Sequence, residues 1–419
     1  MLKLHSFLVA LLFCFSLSTS VFAQKSAQEK TETYIKSAAF MKDNKAIVPF
    51  FRLGEIINFE FDDLLANESN YYYRIFPFNY DWTPSKLRTT DYLDGMENQR
   101  IQNYENSFNT LQLYSHYRLT LPNPKYKILK SGNYVLEITD EHQDVIIRRK
   151  FILYENNVNV AAQIKRARDI EYIDQKQNLE FTIHLGEQTF QNPTQNIKVA
   201  LFQNGRWDTH INNITPQYTL GTDLIYKYNK ETQFWGSNEY LNFDNSDINA
   251  VNNMIGKVHS DQGVYSTFLY LNSARKNKPY TYFPDINGSF QPRNINRENP
   301  SIEADYSWVY FRLQPQESNP QTQFYITGMF NNNELTEENL LTYNPETKVY
   351  ETALLIKQGF TNFLYSAVTK GRINPEEAPD GNFAQTENQY QILVYYRGNT
   401  DLYDRVIGFG TTNSENIVY

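Results

Sequence analysis

Short runs with the two-residue periodicity of β-strands follow one another along this chain, and no segment carries an apolar stripe over three helical turns. In EFTIHL, for example, Phe181, Ile183 and Leu185 point one way, and the polar side chains between them point the other. The 32 tyrosines and 28 phenylalanines are residue types that strands favour. YQILVYY, residues 390–396, is apolar on both faces and needs cover on both. The pattern predicts an all-β fold.

The predicted strands form three sets that are separated by turn-rich segments. The first set has about seven strands, the number typical of an immunoglobulin-like sandwich. We expect three antiparallel immunoglobulin-like β-sandwich domains in a row, over residues 24–156, 157–290 and 302–419, with a linker at 291–301. A long connection between strands, residues 79–110, interrupts the first domain.

Residues 1–23 have the pattern of a secretory signal peptide. Lys3 precedes an apolar run that is too short to span a bilayer, and the segment ends in Val-Phe-Ala. We expect cleavage between Ala23 and Gln24, and therefore an exported chain. No later stretch has enough consecutive apolar residues for a transmembrane helix, so we expect no membrane span.

The composition also limits the chemistry of the mature chain. Cys14 is the only cysteine and lies inside the leader, so we expect no disulfide, thiolate metal site or cysteine nucleophile. The formal net charge is −8, and acidic and basic residues are interspersed without a basic stripe. A nucleic-acid partner is therefore not expected.

The remaining candidates for catalysis or metal binding are scattered. No histidine pair has a zinc-ligand spacing, and no nucleophile elbow or phosphate-binding loop is present. Adjacent carboxylates occur at Asp62-Asp63 and at Glu376-Glu377, where we expect solvated turns. We therefore expect no catalytic residues, no metal, no cofactor and no enzymatic activity. The histidines beyond the leader are His116, His142, His184, His210 and His259.

The connection 79–110 contains polar and aromatic residues without a catalytic set. We expect Trp82 to pack on the first sandwich and a short helix over 84–94, because Thr-Pro favours a helix start and Gly95 a helix end. Tyr92, Arg100 and Tyr104 are candidate partner-binding residues, since tyrosine and arginine are enriched at protein interfaces. The alternative is that these residues cover the edge of their own sandwich.

Several long motifs resemble one family. FNYDWTPSKLRTTDYLDG, followed by NSFNT, YSHYRLTLP and SGNYVLEI, is similar to the first domain of the type IX secretion system plug proteins of Bacteroidetes. EYLNFDNSD, TYNPETKVYETALLIKQGFTNFLYSAV and NFAQTENQYQILVYYRGNTDLYDRVIGFG extend the resemblance over nearly the whole mature chain.

The resemblance implies a non-enzymatic plug that seals the periplasmic opening of the large outer-membrane β-barrel translocon in its resting state. It implies a location at the periplasmic face of the outer membrane and one copy per barrel.

A second resemblance suggests an alternative function. The third region is similar to early-set immunoglobulin modules that bind starch or glycogen, so the alternative is a carbohydrate-binding accessory protein of the cell envelope. Trp308 and Tyr310 could stack on a sugar if they face solvent, but they alternate with Val309 and Phe311, and the sequence does not say which pair is core. A hydrolase has only the isolated carboxylate pairs in its favour.

Overall fold

The computed structural model describes residues 26–261, 263–314, 319–415 and 417, and these form a nearly all-β molecule, as predicted. The predicted leader and its cleavage point, Ala23 and Gln24, lie outside the described residues. Six main sheets are arranged as three facing pairs, which we call the first, second and third units.

The first unit consists of sheets A and B, with an aromatic-rich core between them. The rings of Phe40 in sheet B and Phe151 in sheet A have centroids 5.6 Å apart. Sheet A has the strand order Lys30–Thr31, Val145–Tyr154, Gly132–Thr139, Tyr72–Phe78 and Gln99–Arg100, with Phe50–Arg52 parallel to Val145–Tyr154. Sheet B has the order Lys45–Ala46, Ile35–Lys42, Ile57–Asp63, Ser115–Leu121 and Asn103–Asn106, and a separate ribbon joins Leu93–Gly95 to Tyr126–Ile128.

The second unit consists of sheets C and D. Phe234 and Tyr390, one from each sheet, lie 5.3 Å apart in its core. Sheet C has the order Asn159–Arg166, Lys176–His184, Asp223–Tyr226 and Tyr218–Leu220, with Gln233–Trp235 also paired to Lys176–His184. Sheet D has the order Ile211–Asn212, Ile197–Gln203, Gln389–Tyr396 and Arg405–Asn413.

The third unit consists of sheets E and F, and Phe311 and Phe363 meet in its core at 5.0 Å. Sheet E has the order Leu241–Asp244, Gly359–Thr369 and Phe290–Pro292, with Thr322–Thr327 and Arg372–Ile373 also paired to Gly359–Thr369. Sheet F has the order Ile255–Asp261, Val264–Leu269, Tyr306–Gln314, Val349–Lys357 and Thr342–Asn344, with Asn272–Ser273 beside Tyr306–Gln314.

Helices are short in the described part of the chain. None of them combines the length and the apolar character needed to cross a bilayer. The α-helices are Thr89–Tyr92, Pro193–Asn196 and Pro300–Glu303, and the 3₁₀ helices are Met329–Asn331 and Pro375–Glu377.

The strand pairing differs from the consecutive arrangement that the sequence suggested. The C-terminal strands Gln389–Tyr396 and Arg405–Asn413 belong to sheet D, not to the third unit. The expected linker 291–301 is also wrong, because Phe290–Pro292 pairs within sheet E. The third unit is therefore inserted between strands of the second. Local patterning cannot reveal this, because any apolar strand can pair with a distant one.

The pairing is also not antiparallel throughout. Val264–Leu269 runs parallel to Tyr306–Gln314 in sheet F. A parallel pair needs a long crossover. Residues 270–305 supply it here, and they include the whole segment expected to be a linker.

Both faces of YQILVYY are covered, as its composition required. Tyr390, Ile392 and Val394 face the core of the second unit. Leu393 and Tyr395 face a second apolar cluster, which the first unit contributes to with Phe50, Tyr80 and Ile152. A strand that is apolar on both sides thus marks a contact between units.

Candidate functional site

Trp82, at the start of the connection 79–110, packs against two units rather than one. Its ring lies 6.2 Å from Phe78 in the first unit and 5.2 Å from Trp207 in the second. The Lys150 ammonium lies 4.9 Å from the Trp82 ring centroid, in cation–π geometry. The expected packing on the first sandwich is present, and the second unit completes it.

The predicted helix 84–94 is mostly wrong. Only Thr89–Tyr92 is helical, and the chain then extends into the strand Leu93–Gly95. Gly95 has φ +134°, and a Cβ at this position would overlap the carbonyl oxygen of Lys125. The glycine is needed for strand pairing in the ribbon, not to end a helix.

The three predicted partner-binding residues have different environments. Tyr92 is fully buried, and its hydroxyl donates to the Ile75 carbonyl oxygen at 2.9 Å, so its expected exposure is wrong. Arg100 is exposed on a short strand at the edge of sheet A. Tyr104 is half-buried and stacks on Tyr117 at 5.4 Å. Of the three, only Arg100 is freely available to a partner, and Tyr104 is partly available.

The strand Asn103–Asn106 and the loop 107–113 form a continuous border of the first unit, which we call the 103–113 edge. The strand is the outermost in sheet B, so no strand of the described residues pairs with the other side of its backbone. Three apolar side chains follow it: Phe108 is 58% exposed, Leu111 43% and Leu113 59%. An exposed strand edge followed by exposed apolar side chains is a surface suited to another protein.

The 103–113 edge is exposed, but its backbone is fixed. The amide of Phe108 donates to the Ile302 carbonyl oxygen at 2.9 Å. The amides of Leu111 and Gln112 donate to the Asp305 carboxylate at 2.5 and 3.1 Å. The third unit thus holds this loop in one conformation, which lowers the entropic cost of binding a partner.

Sequence reasoning missed a buried ionic cluster between the first and third units. Asp62, expected in a solvated turn, is fully buried in the strand Ile57–Asp63. Its carboxylate lies 2.6 Å from Lys357 Nζ and 2.7 Å from His116 Nδ1, and it accepts a 2.6 Å hydrogen bond from the Tyr306 hydroxyl. Glu60 Oε2 lies 3.5 Å from His116 Nε2. The only sequence signal was the alternation of FEFDD, which places Asp62 and Glu60 on the face opposite the core aromatics.

The protonation states in this cluster follow from its contacts. Burial alone would raise the pKa of Asp62, but Lys357 and His116 outweigh it and hold the pKa below its usual value. Burial alone would lower the pKa of His116, but hydrogen bonds with Asp62 and Glu60 raise it. The cluster is therefore a charged network that joins two units. Among the described residues, no group of histidine, aspartate and glutamate side chains has an arrangement that could hold a metal ion.

The structure decides which side of the strand Tyr306–Gln314 is core. Val309 and Phe311 are buried in the third unit, whereas Trp308 is 37% exposed and Tyr310 is partly exposed on the outer face of sheet F. Both candidate sugar-stacking residues therefore face away from the core.

Comparison with known proteins places these features in a family. Residues 35–155, which include most of the first unit, match the model of the type 9 secretion system plug protein 1st domain. A comparison with curated proteins gives no match. The crystal structure of a hypothetical protein from Parabacteroides merdae ATCC 43184 is similar, with 30% sequence identity and a TM-score of 0.88. The similarity covers 93% of this chain and 100% of that one. The chain described here thus belongs to the type IX secretion system plug protein family.

Proposed function

We propose that this chain is a non-enzymatic plug, which seals the periplasmic opening of the large outer-membrane β-barrel translocon of the type IX secretion system in its resting state. We place it at the periplasmic face of the outer membrane, with one copy per barrel. The observation that carries the proposal is the family match over residues 35–155.

The architecture supports a role as a rigid stopper. A plug must keep its shape against a wide opening, which requires that its parts do not move independently. The Asp62–Lys357 ion pair joins the first unit to the third. Hydrogen bonds from the Tyr80 hydroxyl to the Val199 carbonyl oxygen and from the Tyr395 hydroxyl to Asn133 Oδ1 join the first unit to the second. We infer that each unit is an immunoglobulin-like sandwich, the third of the early-set type, within one cross-linked body.

We propose that the 103–113 edge is a contact with the barrel mouth. It lies in the family-matched region, it exposes Phe108, Leu111 and Leu113, and its backbone is fixed by the third unit. Arg100 adds an exposed interface-type residue on the same connection.

The test uses one double variant, in which Phe108→Ser and Leu113→Ser are combined. Because both side chains are exposed, the free energy of unfolding should change by less than about 0.5 kcal/mol. Loss of two interface anchors should weaken binding by more than about 1 kcal/mol. Tagged protein captured from envelope membranes should therefore bring down less of the barrel, and the cells should leak small dyes through the translocon.

The matched control is Leu220→Ser, which removes an apolar side chain that is 69% exposed on the second unit. It should leave capture of the barrel and dye exclusion unchanged. If the double variant captures as much barrel as the unaltered chain, the 103–113 edge is not the contact. If the unaltered chain captures no barrel, the plug function itself is wrong.

A further inference from the structure

The outer face of sheet F changes from covered to open along its strands. At one end, Tyr306 and Lys357 pack against Asp62 of the first unit. Two and four residues further along the same strand, Trp308 is exposed and Tyr310 is partly exposed on the same face. A groove with a volume of about 690 Å³ lies there, and residues from four neighbouring strands of sheet F line it. Its size is in the range of sites for small ligands.

Aromatic rings line this groove. Phe268 and Tyr310 are neighbours across the parallel pair of strands, and their rings stack with centroids 4.3 Å apart and an interplanar angle of 12°. Tyr270 is 54% exposed and lies over Gly256, where a Cβ would come within 2.9 Å of the tyrosine ring. On the other side of Tyr310, the cross-strand partner is Ala353, whose small side chain leaves the groove open.

Charged groups of both signs flank the rings. Lys257 Nζ lies 5.5 Å from the Phe268 ring centroid, and Arg312 and Glu351 line the groove on adjacent strands. The Glu351 carboxylate accepts a 2.8 Å hydrogen bond from Asn344 Nδ2. Within the described part of the chain, neither Lys257 nor Arg312 forms an ion pair, so both retain donors for a ligand.

We propose that this groove binds a neutral oligosaccharide. The C–H faces of a sugar ring carry partial positive charge and complement the negative faces of Tyr310 and Tyr270. Sugar hydroxyls both donate and accept, so one ligand can satisfy the carboxylate of Glu351 as well as Lys257 and Arg312. A ligand without net charge can contact groups of both signs without repulsion from either.

This site is separate from the proposed contact with the barrel. The 103–113 edge lies on the first unit, and the groove lies on the third. Glycan binding would let the plug hold an envelope polysaccharide or a glycosylated protein, whichever supplies the sugar. Failure of one proposal therefore leaves the other standing.

The experiment titrates the purified full mature chain with neutral oligosaccharides of glucose, mannose, xylose and N-acetylglucosamine, with calorimetry as the readout. We expect at least one series to bind. Tyr310→Ala should weaken that binding at least about tenfold, because it removes a stacking surface. Ala353→Phe should weaken it as strongly by filling the groove, while every ring and charge of the site is retained.

Tyr218→Ala removes a tyrosine that is 49% exposed on the second unit, and it should leave binding unchanged. Absence of binding to every series overturns the proposal, and so does a titration that Ala353→Phe does not alter. Sedimentation of the same variants tests whether a second copy of this chain occupies the groove instead of a sugar. A dimer that dissociates in Ala353→Phe would show that a second copy of this chain fills the groove, and this outcome also overturns the proposal.

Discussion

Asp62 is a buried carboxylate whose partners come from two parts of the chain. His116 belongs to the first unit, and Tyr306 and Lys357 belong to the third. Removing one partner of a buried ion pair typically costs about 3–5 kcal/mol, because the other charge stays buried without compensation. The cluster therefore specifies how the two units dock, since another arrangement would leave Asp62 with His116 alone and would remove the carboxylate partner of Lys357.

His116 should make stability depend on pH. Its pKa is raised in the folded protein, so its protonated form contributes stability that is fully present below its unfolded pKa of about 6.5. This contribution is lost as the pH rises through the folded pKa. The free-energy difference between the unaltered chain and His116→Gln should therefore shrink as the pH rises above about 6.5, measured by urea denaturation. A difference that is constant or grows would show that His116 is not held in its charged form.

At the scale of elements, the ribbon between Leu93–Gly95 and Tyr126–Ile128 shows how the long connection is folded onto the first unit. Register pairs Tyr126 with Gly95 and Ile128 with Leu93. Tyr126 is fully buried, and its hydroxyl accepts a 2.9 Å hydrogen bond from the Ile75 amide. The alternative considered for the connection 79–110, that it covers its own sandwich, thus describes residues 84–95. The 103–113 edge remains exposed.

Gly95→Ala should destabilise the protein by more than about 1 kcal/mol, because the added Cβ overlaps the Lys125 carbonyl oxygen and the backbone has positive φ. Gly54→Ala is the matched control: Gly54 has φ +88° but no atom within 4 Å of an added Cβ. Urea denaturation of both variants separates the steric clash from the cost of positive φ. Equal losses would mean that the ribbon moves away without cost.

At the scale of the whole molecule, the chain leaves the second unit, forms the third unit and then returns to complete the second. The third unit lies between Gly236 and Asn388, and Asn388 Nδ2 donates to the Gly236 carbonyl oxygen at 2.8 Å. Because these two residues touch, the insertion can be removed and the gap closed by a short linker. The strands after Asn388 complete sheet D, so the second unit depends on the end of the sequence.

Two shortened chains test this organisation. Replacing residues 237–387 by a short Gly-Ser linker should leave the first and second units folded, with strand circular dichroism and a cooperative unfolding transition. The chain 24–290, cut at the boundary that the sequence suggested, lacks two strands of sheet D and should be digested rapidly by protease from residue 157 onward. Equal protease resistance of the two chains would contradict the inserted arrangement.

The sequence by itself determined the class of elements and several local consequences. The alternation in EFTIHL correctly predicted a strand in which Phe181 and Ile183 face the core, because the direction of a side chain in a strand depends on its place in the alternation. Glu180, on the opposite face, is nevertheless buried. The two apolar faces of YQILVYY correctly required cover on both sides, and the family resemblance identified the plug family.

Only the tertiary structure decided which strands pair and which polar groups are buried. Strand pairing joins residues that are distant in sequence, so Gln389–Tyr396 could be assigned to the wrong unit although its pattern was understood. Burial depends on what packs over a side chain. Tyr92, expected at the surface, is enclosed by its own unit, and Asp62, expected in solvent, is enclosed by Lys357 and Tyr306 of a distant segment. The pattern of a strand can show that a face needs cover, as in YQILVYY, but it cannot show which distant segment provides that cover.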